Sequence, residues 1–180
     1  MKKLVIGAIV GGILVFLWQT LSWTVLNLHK EYKKAPGEEA IMTFLNSQFS
    51  ADGQYMVPMA DENASAEEMQ KVQESMKGKP WAVISYHKSY DADMMNNIIR
   101  GLLVDIIAVL FVCWVLMKNT NASFGSTFVS TVLIGVAGYL FIPYSGHIWF
   151  KTGGMSTHLL DTFLSWGLCG LWLGWWLNRK

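Results

Sequence analysis

Charge is what this sequence is shortest of. Of its 180 residues 15% are charged and 52% are hydrophobic, whereas a soluble domain carries about 25% charged residues. Lys and Arg number 14 against 13 Asp and Glu, a formal net charge of +1. No field exists to draw in nucleic acid or an acidic partner. Two cysteines, Cys113 and Cys169, exclude a disulfide scaffold and a cysteine-rich metal knuckle. They do not form a CxxC pair, which removes the usual thiol–disulfide chemistry. GxSxG, HExxH and a phosphate-cradling glycine loop are also missing. There is no internal repeat and no low-complexity tract.

What the chain has instead is long apolar runs. A spanning helix needs about 20 mostly apolar residues. Segment 4–28 has no charged residue, and segment 98–117 is interrupted by Arg100 and Asp105. Segment 124–142 has Ser and Thr as its polar members, and segment 158–177 is apolar beyond its first turn. Nine tryptophans suit a membrane interface. The expected fold class is a membrane all-α protein of four transmembrane helices, with a small α+β insert between the first and second. Lys2-Lys3 before the first run reads as an uncleaved signal anchor, because the run is too long for a signal's hydrophobic region and no small-x-small site follows. Lys2, Lys3, Lys118, Arg179 and Lys180 fall on one side of the membrane, with Lys151 and the long insert on the other. The positive-inside rule then makes both termini cytoplasmic and the insert periplasmic in a bacterial inner membrane.

Within the insert, residues 29–97, Pro36-Gly37 breaks the chain and residues 38–49 read as an amphipathic helix through Ile41, Leu45 and Phe49. Asp52-Gly53 is a turn signal, and residues 54–57 are a short strand stopped by Pro58. Ser65-Ala66-Glu67-Glu68 has capping-box spacing for a helix with Met69, Val72 and Met76 on its apolar face. Gly78 and Pro80 end that helix, and residues 81–87 form a second strand. A unit this small is marginal alone. Met56, Met59, Met94 and Met95, with His29 and His87, could offer soft Cu(I) ligands, but methionine is a general gap filler. Neither a metal nor a cofactor is assigned.

Membrane helices associate through small residues that let backbones approach. Gly7 and Gly11 have this spacing in the first helix, repeated by Ala8 and Gly12. Ser126 and Ser130 have it in the third helix, Gly170 and Gly174 in the fourth, and Gly101, Asp105 and Ala108 share a stripe in the second. These motifs favour a tight bundle or a tight contact with another subunit.

Asp105 lies about seven residues inside the second helix, where a carboxylate faces the bundle or a water-filled cavity. His158, Asp161, Thr162, Ser165 and Cys169 fall at i, i+3, i+4, i+7 and i+11, one polar stripe on an apolar helix. Gln19, Ser22 and Asn27 offer a matching strip on the first helix. If these faces meet, Asp105, Asp161, His158, Gln19, Ser22 and Ser165 share one outward-facing pocket. Imidazole and desolvated carboxylates there would suit a proton relay. Asp161 equally suits a helix N-terminus, after Ser156 and Thr157 as caps. The loop 143–157, with Tyr144, His147, Trp149, Phe150 and Lys151, reads as an interface-lying or re-entrant segment over a lipid or quinone headgroup, or as an anchoring belt.

Trp18 to His29, WQTLSWTVLNLH, together with Gln54-Tyr55-Met56-Val57-Pro58, resembles a group of small bacterial inner-membrane proteins. Their signal-anchor helix ends in Ser-Trp and a His, followed by a compact outside segment and three further helices. The resemblance implies this topology and carries no activity. The expected function is a non-catalytic accessory or scaffold subunit of a membrane complex, its partners being membrane lipids, other membrane subunits or a second copy. A small transporter or ion-conducting homo-oligomer is the alternative, and a surface-acting enzyme or lipid binder is the third.

Overall fold

The computed structural model describes residues 1–179. Its elements in chain order are α1 (Lys2–Thr20), a π-helical turn at Leu21–Val25, α2 (Glu38–Gln48), β1 (Gly53–Val57), α3 (Ala66–Met76), β2 (Ala82–Tyr86) and α4 (Met94–Leu116). Then follow α5 (Phe124–Tyr139), a second π turn at Leu140–Tyr144, α6 (Ser145–Phe150) and α7 (Met155–Asn178). The chain divides into two units, 34–91 and the remainder.

Among the described residues, three helical stretches are long and apolar enough to cross a membrane: Lys2–Val25, Met94–Leu116 and Phe124–Phe150. α7 has the length, 24 residues, but its first turns carry His158, Asp161 and Thr162. The third stretch differs from the expected helix 124–142 followed by a loop 143–157. Helix continues to Phe150. Pro143 has no N–H to give, and its ring crowds the carbonyl four residues back, so the ladder widens into a π turn. Lys151, left-handed at φ 52°, closes α6, and Gly154 at φ 78° precedes α7.

The four long helices stand in the order α4, α1, α7, α5, each antiparallel to its neighbour. α4 and α5 barely touch. A small cluster of Val15, Val109, Val112, Cys113, Cys169 and Leu173 fills the line where α1, α4 and α7 meet. Close approach there depends on glycine. A Cβ on Gly7 would lie 3.2 Å from both the Cys113 sulfur and the Trp176 ring, and one on Gly11 would lie 2.8 Å from Val109. Gly170 and Gly174 sit against the Phe128 and Phe124 carbonyls, at 3.2 and 3.1 Å from such a Cβ. In α5 the buried small residues facing α7 are Thr127 and Thr131, one position on from Ser126 and Ser130, and Gly135 against the Trp166 ring. Ser126 instead closes a capping box with Ser123 at the start of α5.

In the second unit β1 and β2 pair antiparallel, Gly53 opposite Tyr86 and Val57 opposite Ala82. Ser65 caps α3 by accepting from the Glu68 N–H, and the Glu68 carboxylate reaches back to the Ser65 N–H at 2.8 Å. Tyr86 is the buried centre: its hydroxyl donates to Asn46 at 2.6 Å, and Phe49 stacks on Tyr55 at 3.9 Å beside it.

The least yielding contact in this packing is at Gly12, where a Cβ would come within 2.6 Å of the Ile106 Cα and 2.8 Å of its nitrogen. Backbone cannot rotate away as a side chain can. Gly12→Ala should therefore part α1 from α4 and destabilise the fold by about 1–3 kcal/mol, read as a lower melting temperature in mild detergent. Gly125→Ala, with nothing within 4 Å, should leave that temperature unchanged or slightly higher.

Candidate functional site

Within the helical unit, a hydrogen-bonded cluster of polar side chains lies at the end of the helix row away from the chain termini. The route to it starts in the π turn, where the Leu26 and Leu28 N–H groups donate to the Leu21 and Ser22 carbonyls at 2.9 and 3.0 Å. Asn27 then takes a left-handed conformation at φ 46°, which asparagine tolerates better than most residues. The chain doubles back, and the His29 ring stacks on Trp23 with centroids 3.7 Å apart and planes 7° from parallel.

His29, only 7% exposed, is held between two carboxylates. Its Nε2 lies 2.8 Å from Asp161 Oδ2 and its Nδ1 lies 2.9 Å from Glu31 Oε1. A neutral imidazole has one N–H, so donating to both carboxylates requires the doubly protonated ring. Asp161 collects two more donors: Trp18 Nε1 at 2.9 Å to Oδ1 and the Ser22 hydroxyl at 3.0 Å to Oδ2. Such charge-assisted bonds are about twice as strong as neutral ones. His158, one turn before Asp161 on α7, brings its Nε2 to 4.0 Å from Glu31 Oε1.

Glu31 is seated on bare backbone. A Cβ on Gly153 would lie 2.8 Å from the Glu31 Cβ, and one on Gly154 would lie 2.7 Å from its carboxylate. Partial burial pushes the Glu31 carboxyl upward, but the His29 N–H, its own backbone N–H and the charges of His29 and His158 outweigh this and hold it below the usual glutamate range.

The structure divides the residues expected to share one pocket. Asp161, His158 and Ser22 come together. Ser165 lies beneath them, buried, with its hydroxyl donating to the Asp161 carbonyl at 2.6 Å rather than to the carboxylate. Gln19 instead donates to Asp105 Oδ1 at 3.3 Å, and Asp105 Oδ2 is buried without a partner. The two aspartates share no ligand: Gln19 serves one, Trp18 and Ser22 the other. Asn27 contributes its backbone turn. Four participants, His29, Glu31, Trp18 and Trp23, were not assigned to the pocket from sequence. A signal for them exists in Trp23, His29 and Glu31 crowding the end of the first apolar run.

No protein-family model, no curated protein and no solved structure matches this chain.

Asp161→Asn should cost about 1.5–3 kcal/mol, the worth of hydrogen bonds to a charged group, seen as a lower melting temperature. The acid limb has its own sign. A carboxylate held below its ordinary value adds stability that is complete above that value, 4.5 for glutamate, and is lost as pH falls through its depressed value in the folded state. Glu31→Gln should therefore flatten the decline of melting temperature with acidification below pH 4.5 while lowering the plateau above it.

Proposed function

We propose that this chain is a four-span, non-catalytic protein of a bacterial inner membrane, acting as an accessory or scaffold subunit. Both termini are cytoplasmic in this reading and residues 34–91 are periplasmic. Support for the fourth span comes from the course of α7. It lies along α1 from Asp161, beside Trp18 and Ser22, to Trp176, whose Nε1 donates to the Lys3 carbonyl at 2.7 Å. A helix matched end to end with a spanning helix shares its depth. The polar stripe of α7 is turned inward, where intramembrane polar groups belong. The basic residues at the terminal ends of the helices set the orientation.

The observation that carries the accessory role is the openness of the row. α4 and α5 each have one long neighbour. α4 leaves Leu103, Val104, Ile107, Phe111 and Trp114 exposed, and Gly125, Gly138 and Gly167 have nothing within 4 Å of a Cβ position. Between lipid and another helix, bare glycine backbone favours the helix, because close van der Waals approach drives association in a bilayer. The partner is another membrane subunit or a second copy, with lipid over the remaining surface.

A second reading, a small ion- or proton-conducting oligomer, is favoured by Asp105, whose Oδ2 is buried without a partner. A carboxylate oxygen left bare in an apolar helix is expensive unless an ion or proton visits it.

Single cysteines at Gly125, Gly138 and Gly167 test the first reading, since the native Cys113 and Cys169 are buried. Oxidation in native membranes should give a covalent adduct with a second copy or another subunit from at least one of the three. A monomer in mild detergent with no adduct from any of them would overturn the accessory role. For the second reading, Asp105→Asn should abolish ion flux in proteoliposomes, and unchanged flux would remove it.

A further inference from the structure

The cluster around His29 has the composition and spacing of a metal site. We propose that Nδ1 of His29, the Glu31 carboxylate and Nε2 of His158 bind one divalent transition-metal ion of the zinc class, with Asp161 as the carboxylate that orients His29. The proposal does not depend on whether the chain is a scaffold or a conductor.

Geometry carries it. One donor atom from each of the three residues lies within 4.8 Å of the others. His29 Nδ1 and Glu31 Oε1 are 2.9 Å apart, and His158 Nε2 is 4.0 Å from the same oxygen. Ligands about 2.0–2.1 Å from a tetrahedral zinc are roughly 3.3 Å from one another. Binding would open the first distance by about 0.4 Å, close the second by about 0.7 Å and draw the His29 and His158 nitrogens, which lie within 4.8 Å, to the same spacing. His158, 34% exposed on its side chain and without a strong hydrogen bond of its own, is free to make that adjustment.

The surroundings meet the other requirements of a metal site. A ligating imidazole gives its second N–H to a carboxylate, which fixes ring orientation and raises donor strength; His29 Nε2 already faces Asp161 at 2.8 Å. Trp23 covers one face of the ring, so the ligand is pre-set. Metal binding takes both histidines as neutral imidazoles, and the Glu31 and Asp161 carboxylates beside them then supply negative charge that favours a cation. On binding, the ion takes the place of the Nδ1 proton, which leaves to solvent. Glu31 and His158 also line a cavity of about 480 Å³ with Tyr32, Pro143, Gly153 and Met155, which gives an entry path and room for a water or substrate as fourth ligand. Two imidazole nitrogens among three ligands select against magnesium and calcium, which prefer all-oxygen shells.

The test uses the full chain in detergent, purified with a tag free of histidine and stripped with EDTA. Equilibrium dialysis against Zn²⁺ should load one ion per chain, and Co²⁺ should add the visible absorption of a four- or five-coordinate centre. His158→Gln and Glu31→Gln should each weaken Zn²⁺ binding by about 100-fold or more, with helicity and melting temperature confirming that the His158 variant is folded. Asp161→Asn should weaken it about 10- to 100-fold, as loss of an outer carboxylate does, and His87→Gln should not change it. Failure to load Zn²⁺, loading that His158→Gln leaves intact, or equal binding of Mg²⁺ would each overturn the proposal.

Discussion

An ionised carboxylate placed among apolar helices must be matched donor by donor, and in this molecule Asp161 imposes that requirement. Its two oxygens take the indole N–H of Trp18, the hydroxyl of Ser22 and an imidazole N–H of His29. Those donors come from α1, from the π turn that follows it and from the segment beyond. A regular α1 that simply ended could present Trp18 and Ser22, but not a third group from eleven residues after Trp18. The π turn and left-handed Asn27 bring His29 back over the helix end. The irregular backbone after α1 is thus a consequence of satisfying one side chain on α7, in keeping with the frequent placement of π turns at functional positions.

The other end of the same helix pair is fastened by a different chemistry. Trp172 and Trp176 of α7 donate their indole N–H groups to the Gly7 and Lys3 carbonyls at 3.1 and 2.7 Å. Arg179 lies over the Trp176 ring at 3.6 Å. Between these fastenings the contact is made by Gly7 and Gly11 against Cys169, Leu173 and the tryptophan rings. Polar bonds at both ends and bare backbone in the middle explain why α7 can carry a polar stripe and still lie flat on α1. They also give the tryptophans a second role. A buried indole usually finds an acceptor, and three of the nine bridge α1 and α7 instead of serving only as interface anchors.

What could be read from the sequence follows the range of the interactions involved. The long helices declared themselves through extended apolar runs, and the start of α3 through Ser65 and Glu68, because both signals lie close together in the chain. Gly7, Gly11, Gly170 and Gly174 could be singled out because helix contact repeats at four-residue spacing. The helical continuation through Pro143 could not, since a proline read alone is a stop signal and only the neighbouring packing decides between a break and a widened turn. His29 and Glu31 escaped assignment to the pocket for a related reason. Their partners Asp161 and His158 are more than 120 residues away in the chain, as the 132-residue separation of His29 from Asp161 illustrates, and no local periodicity links a residue just outside one helix to the first turn of another. Asp105 and Asp161 are each the one acid of an apolar helix, expected in one pocket. They separate because Gln19, at the end of α1, and Ser22, in the π turn after it, reach different neighbours.

A structural clasp and a binding site make the same demands on this cluster, so finding one is no argument against the other. Holding α7 against the end of α1 needs Asp161 fixed and His29 fixed to it. Presenting Nδ1 of His29 to a ligand shared with Glu31 needs the ring at one angle, and the Asp161 bond and the Trp23 stack provide that angle. Glu31 adds what a clasp alone does not require. It makes no hydrogen bond to Asp161, it adds a second carboxylate beside the His29 ring, and it occupies a seat that Gly153 and Gly154 leave open where any Cβ would intrude. His158 then stands 4.0 Å from that carboxylate on the side facing the cavity. Removing Glu31 and His158 in thought leaves the Asp161 bonds between α7 and α1 in place, so the proposed metal site rests on the two side chains that this fastening does not use.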